Sequence, residues 1–589
     1  MKWSLKELYT SFDSTEYLGD LKSLDSKIEN YSNWVNENLD TMDNPVEKIE
    51  NYINSTLDLS KTFSKLMSFA HLTNSVEAKN EESLQYLDKL SVKETLLTKP
   101  NVQFKKFIKN IDNLDEIINS SEILKQHEFF LNQIKKESKY MLSEKEEVLI
   151  SKMSNTGSGA WSSLQNMLAS TLLVDIEIAG EIKQLPLPVI RNMAYDEDPT
   201  VRKKAYEAEL QSYKKIEESS AASLNGIKGE VITTSELRGF ESPLEETLFN
   251  SRMDKETLEA MLTAMKEFLP VFHKYYRKKA ELLGHNNGLP FYDIFAPMGE
   301  VNRSFTYDEA MKYIIDNFRT FSNRLADFTQ NAYDKNWLDI EPREGKRGGA
   351  FCSNLHVIGE SRFLSNFNGS FSNMTTLAHE LGHGYHGFNL KEETSLNAGY
   401  PMPIAETASI FCETIVVNAA LKEASDDEAL SILESSISDA GQVIVDIMSR
   451  YIFETELFER RKTHALSVNE LKEIMLDAQK QAYGNGLDPD VLHPYMWINK
   501  THYYSASRNF YNFPYAFGLL FSKGLYAEYL SRGEEFVGEY DELLNATGKN
   551  NIINVAKRMN IDVNNPEFFR NSLRLVEKDI EKFIELASK

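Results

Sequence analysis

The sequence predicts a mainly α-helical fold with one small β element. Apolar residues recur at helical spacing along most of its 589 positions. Helix-start signals precede such stretches: Ser467-Val-Asn-Glu470 is a capping-box pattern, and Asp198-Pro199 sets an N-cap and a first-turn proline before Val201–Lys214. Clear alternation is confined to Leu172, Val174, Ile176 and Ile178, followed by Gly180 and Ile182–Leu187, which predicts a hairpin. No fixed-period repeat is present, so a solenoid has no support.

The length suggests two or three folding units. The segment Ser154-Asn-Thr-Gly-Ser-Gly159 reads as loose, and Asp196-Glu-Asp-Pro199 follows the hairpin. Together they predict a junction near residue 195, with an N-terminal helical region at 1–195 and the motif-bearing remainder at 196–589. Further on, Arg343-Glu-Gly-Lys-Arg-Gly-Gly-Ala-Phe-Cys352 is irregular and rich in glycine. Ser361–Ser370 reads as a short strand feeding the next helix. It is either an ordinary sheet edge or one that offers unpaired backbone groups to an extended peptide.

Composition narrows the function. The formal charge of −24 repels nucleic acid. No apolar run is read as long enough to span a bilayer, and the segment from Met1 to Tyr9 lacks the apolar core of a secretory signal. With two cysteines, Cys352 and Cys412, a disulfide framework and a cysteine-rich zinc module are both excluded. A cytoplasmic protein with no nucleic-acid or membrane partner is expected.

The chemistry lies in His379-Glu380-Leu381-Gly382-His383. On a helix, residues four apart share a face, so both imidazoles reach one cation while Glu380 projects beside them as a general base. A catalytic zinc keeps three protein ligands and an open position, so a third ligand is needed. His386 lies about 10 Å along the same helix from His379, too far for one straight helix to wrap around the ion. It is expected in a supporting or packing role. A metzincin would have Gly at 386 and His at 389, where this chain has His386 and Asn389. The remaining candidates are carboxylates of a proline-initiated helix, Pro403-Ile-Ala-Glu406-Thr-Ala-Ser-Ile-Phe-Cys-Glu413. Glu406, in its first turn, is the expected ligand, and Glu413 is expected to orient an imidazole. Ile410 stands where a thermolysin-like site would have Asp.

The run His379-Glu-Leu-Gly-His-Gly-Tyr-His386, with Ala405-Glu406 and Glu413, resembles the thimet oligopeptidase and neurolysin family, most closely its oligoendopeptidase F branch. The likeness extends to Leu289–Pro297, Lys346–Cys352 and His502–Tyr515, covering about residues 200 to 585. It implies a two-lobed helical gluzincin with a deep channel, a small sheet near the active site and one zinc ion on the channel floor. It also implies internal cleavage of short, unstructured peptides; the chain's own glycine-rich 345–349 segment is expected to flex at the channel rim. Family members use a histidine and tyrosines opposite the zinc. The matching positions are His502 and Tyr511 as catalytic candidates, and Tyr504 and Tyr515 as substrate-binding candidates. The alternatives are a zinc carboxypeptidase or dipeptidyl carboxypeptidase of related fold, and a catalytically silent peptide-binding protein.

Overall fold

The start signals in the sequence open helices in a computed structural model, which describes residues 2–299 and 303–589. Asp198 caps the helix Pro199–Tyr213 by accepting from the Thr200 amide. Ser467 and Glu470 form both halves of a capping box on the helix Val468–Tyr483. The hairpin pairs β1 (Leu173–Ile178) antiparallel with β2 (Glu181–Pro186). Ala179 (φ 54°) and Gly180 (φ 85°) form its two-residue turn with positive φ at both positions, the geometry that suits the strand twist.

The stretch around residues 154–159 is not loose. Helices Glu144–Thr156 and Ser158–Thr171 meet at Gly157. Glu230 clamps the break by accepting from the Ser154 hydroxyl and from the amide and hydroxyl of Ser158. A composition of small polar residues marks a helix break as readily as a linker.

Two hydrophobic cores organise the described residues. One gathers residues from Trp3 to Ile134, joined by Leu355 and Leu364. The other runs from Leu172 to Leu586 and includes Val174 and Ile176 of the hairpin. Core membership therefore changes between Ile134 and Leu172, upstream of residue 195, because the hairpin packs with the larger body.

A three-stranded sheet forms the seam between the lobes. β3 (Leu338–Asp339) pairs parallel with β5 (Glu360–Leu364), and β5 pairs antiparallel with β4 (Phe351–Leu355). Successive side chains of a strand point to opposite faces, so Phe363 enters the larger core and Leu364 the smaller. Arg362, fully buried, ties this seam to the chain start through the Ser4 carbonyl and Glu7. β5 is the central strand, with partners on both sides at Phe363 and Leu364 and with β4 alone over Glu360–Arg362. Among the described residues the longer free edge is that of β4, and the two-residue β3 ends the other side.

The glycine-rich stretch is anchored. Gly345 accepts from the Ala78 amide and the Arg347 amide donates to Ser75 O. The Lys346 ammonium is held by Asp339 and by the carbonyls of Asp339, Glu341 and Ser365. Gly345 and Gly349 adopt a positive φ of +79°, a conformation that suits turns. One stretch, Met402–Glu423, does reach the length and hydropathy of a membrane span. It is the helical segment that bears Glu406 and Glu413, and 56% of its most apolar window is buried.

Candidate metal centre and active site

The motif helix, Phe371–Asn389, starts at Ser370, whose hydroxyl accepts from the Asn373 amide. Four-residue spacing brings the rings of His379 and His383 to 5.0 Å between centroids. The segment after Pro403 is not one helix. A short turn, Met402–Ala405, ends at Glu406, which in turn caps the helix Thr407–Glu423. From that break Glu406 Oε2 stands 3.2 Å from His379 Nε2 and 3.3 Å from His383 Nε2.

Three features absent from the sequence reading bring Glu406 this close. Gly382 lets the motif helix meet its neighbour: a Cβ there would stand 2.5 Å from Ala408 O and 2.6 Å from Ser409 Cα. Gly518, on the helix Phe513–Arg532, likewise leaves room for Glu406, whose Cβ would lie 3.0 Å from a Cβ at 518. The Ser409 hydroxyl donates to Glu406 Oε2 at 2.7 Å and fixes the carboxylate. Ser409 follows Glu406 by three residues, so helical spacing alone could have flagged it.

The electrostatics favour a cation at this point. Burial alone would depress His379, but its hydrogen bonds to Glu406 and Glu413 overcome that and hold it up at about 10. The same two imidazoles overcome the burial of Glu406 and hold its carboxyl far below the usual range. Glu413 Oε2 lies 3.1 Å from His379 Nδ1, so Nε2 is left to face inward. Glu380 is 8% exposed, and burial pushes its carboxyl upward against the pull of His383 and His379.

The donor set fits zinc. His379, His383 and Glu406 offer ligand atoms that all lie within 4.8 Å of one another. A tetrahedron with arms of about 2.0–2.1 Å has edges of about 3.3 Å. The two measured nitrogen–oxygen separations, 3.2 and 3.3 Å, match that edge. The three side chains are 18–26% exposed, which leaves a direction open for water or substrate.

The free edge of the sheet lies against this helix. Asn354 of β4 donates to His383 O at 3.2 Å, and Gly387 admits it, since a Cβ there would stand 2.3 Å from Asn354 Cγ. Cys352, half-buried on the same strand, faces Glu380.

The aromatic stretch is not one helix. A 3₁₀ turn, Thr501–Tyr504, leads through irregular chain to the helix Phe513–Arg532. The rings of His502 and Tyr511 lie 6.1 Å apart, and the hydroxyls of Tyr511 and Tyr515 lie 3.5 Å apart. Tyr515 is 38% exposed, and the charge of Glu406 acts on it. Burial, with Arg450 and Lys500 nearby, pushes His502 down to about 3, so its ring is neutral. Tyr504 is not brought to this group. It is 1% exposed and its hydroxyl faces Ser220 in the core, because the 3₁₀ turn directs it away from His502. His386 packs instead of ligating: it is fully buried, stacks on Tyr400 at 4.1 Å and bonds Thr547 Oγ1 at 2.8 Å.

Comparison with known proteins agrees with this architecture. The chain matches the model of Peptidase family M3 over residues 192–575 and that of Oligopeptidase F over residues 110–172. Oligopeptidase PepF of Bacillus subtilis is 25% identical over 485 residues, covering 81% of this chain and 72% of that protein. An oligoendopeptidase F homolog of Borreliella burgdorferi is 24% identical and covers 99% of this chain and 97% of its own. The crystal structure of oligoendopeptidase-F from Enterococcus faecium aligns with a TM-score of 0.70 at 18% identity, covering 97% of this chain and 99% of that one. With its HExxH helix, its carboxylate helix and its oligopeptidase F segment all inside the matched regions, the chain belongs to peptidase family M3, the metalloendopeptidases, and to the oligopeptidase F branch within it.

Proposed function

We propose that the chain is a zinc oligoendopeptidase that cuts internal bonds of short, unstructured peptides, with His379, His383 and Glu406 holding one zinc ion and Glu380 as general base. The observation that carries this reading is the spacing of Glu406 from the two imidazoles, equal to the edge of a zinc tetrahedron, beside a buried Glu380. A zinc ion bound there supplies Lewis acidity and lowers the pKa of water from 15.7 to about 7.

The protein's own groups do the rest. Glu380, raised by burial, takes the proton of the attacking water and passes it to the leaving amine. Glu413 holds His379 through Nδ1. His502, neutral, and Tyr511 donate hydrogen bonds to the oxyanion, while Tyr515 binds the substrate near Glu406. The free edge of β4 aligns the peptide backbone by strand addition without reading its side chains. Both cysteines are free, which supports a cytoplasmic site of action.

The test combines elemental analysis with product identification. One zinc per chain, loss of activity on chelation, recovery with zinc, and internal fragments from a peptide blocked at both ends are expected. Full activity in metal-free protein would overturn the metal assignment. Release of terminal residues alone, from unblocked peptides only, would favour a carboxypeptidase.

A further inference from the structure

His379 and Glu413 open onto a cavity of about 720 Å³. A second cavity, of about 690 Å³, meets the first at Asp439 and Gln442, which line both. The junction also breaks regular structure. The helix Asp426–Gly441 passes through a π-helical segment, Gln442–Asp446, before continuing as Ile447–Arg461. Such segments are rare and concentrate at functional sites.

Nearly every charge lining the second cavity is answered by another. Arg202 Nε lies 2.7 Å from Asp293, and Glu434 2.6 Å from Lys279. Asp446 pairs with Arg450. Glu209 lies 3.5 Å from Arg191 Nε and 3.6 Å from His493 Nε2. Two groups remain. Asp439 and Lys500 have no hydrogen-bond or ion-pair partner for their charged ends among the described residues.

We propose that the second cavity is a subsite for a carboxylate of the peptide substrate, anchored by Lys500. This rests on the peptidase reading above and adds a substrate preference to it. An ammonium that lines the cavity while the acids near it are paired with arginines has no ion-pair partner of its own, and a carboxylate supplies one. Burial and Arg450 push Lys500 down to about 7, with Arg191 acting the same way and Asp446 and Glu209 opposing, so an arriving carboxylate favours the charged form. The nearby acids Asp446 and Glu209 disfavour a dianion such as a phosphate. Asp439, unanswered at the junction, repels an acid held close to the metal centre. The acid must therefore sit at a distance. Asp446 and Arg450, whose charges act on Lys500, stand seven and eleven residues beyond Asp439, about 10–16 Å along the helical path. An extended peptide spans that in about three to five residues. The group is either the C-terminal carboxylate or an Asp or Glu side chain at that register.

The experiment uses zinc-loaded full-length protein and decapeptides of one sequence, with a free or amidated C-terminus, and with Gln replaced by Glu one position at a time. The expected result is a KM lower by about tenfold, with kcat changed less than about twofold, for an acid at one register. Lys500→Met should bring that ratio to about one, and Lys500→Arg should keep most of it. A preference that follows the free terminus alone identifies the C-terminal group, and one restored by Glu in amidated peptides identifies a side chain. Equal KM for acidic and neutral peptides at every register, or a ratio that persists in Lys500→Met, overturns the proposal. If no peptide is cut, the peptidase reading fails. The anchor is then judged separately by fluorescence anisotropy of labelled acidic and neutral peptides on the Glu380→Gln protein, where equal affinity rejects it. The wild-type series and Lys500→Arg decide the matter should Lys500→Met not fold.

Discussion

Glu413 Oε2 stands 3.1 Å from Nδ1 of His379, while Nε2 of the same ring lies 3.2 Å from Glu406. The imidazole is held at both ends, so Nε2 is fixed toward Glu406 while Glu413 stays on the far side of the ring. Glu413→Gln should therefore weaken zinc binding by about 10–100-fold, the usual cost of losing such a partner, with the fold intact. Chelator competition followed by circular dichroism measures both. Unchanged zinc affinity would assign Glu413 to the cavity wall alone.

Glu380 is buried beside the donor set but lies outside the group of three that closes on one point. Glu380→Gln should keep its zinc and lose about 10²–10⁴ in kcat, the range for a missing general acid–base group. Zinc content and turnover are read on the same preparation. Loss of zinc with turnover restored by excess metal would mean that Glu380 is a ligand.

The motif pair and Glu413 were legible in the sequence because helical periodicity fixes which residues share a face. Glu406 was legible as a residue but not as a geometry, since the chain breaks at 406 and the notional single helix becomes a turn and a cap. Gly382, Gly518 and Asn354 were not legible, because each acts through a contact between distant elements. The free sheet edge was assigned to 361–370 for the same reason: strand order is set by tertiary pairing, and β4 takes the outer place. Tyr504 carried a motif position yet points into the core, since residues two apart on a 3₁₀ turn lie about 120° apart and do not share a face with His502.

Gly382→Ala tests whether helix approach governs the metal centre. The added methyl would meet Ala408 O at 2.5 Å and Ser409 Cα at 2.6 Å, both backbone atoms with nowhere to yield. Overpacking of this kind costs about 1–3 kcal/mol. The helices should separate and Glu406 withdraw from the imidazoles, so zinc affinity falls together with thermal stability. A variant that lost stability but bound zinc normally would show that the contact is structural only.

His386 gives a pH dependence with a defined sign. Burial pushes its folded pKa from 6.5 down to about 3, so between those values the unfolded chain binds the extra proton. Stability contributed by the neutral ring is present above pH 6.5 and is lost as pH falls toward 3. The slope is at most about 1.4 kcal/mol per pH unit for one proton. Denaturant titrations from about pH 4 to 7 should show a shallower acid slope in His386→Asn than in the wild type. Identical slopes would place the acid sensitivity elsewhere.

Substrate length is the remaining consequence of the architecture. His379, His383 and Glu406 are only partly exposed, the cavity lined by His379 and Glu413 is about 720 Å³, and the sheet at the seam joins a smaller lobe to a larger one. A folded domain does not enter a space of that size, whereas on the proposed reading an extended chain pairs with the β4 edge one residue at a time. Backbone pairing reads direction rather than side chains, so tolerance of sequence should accompany strictness about length. The loop at 345–349 is tied by Lys346 to the seam and by Gly345 to the N-terminal lobe. A short peptide and the same sequence displayed in an exposed loop of a stable protein are therefore offered together. The free peptide should be cut at least about a hundredfold faster, a difference of about 2.7 kcal/mol in the barrier. Comparable rates on both would mean that the metal centre is reachable by folded surfaces and that the enzyme is a general proteinase.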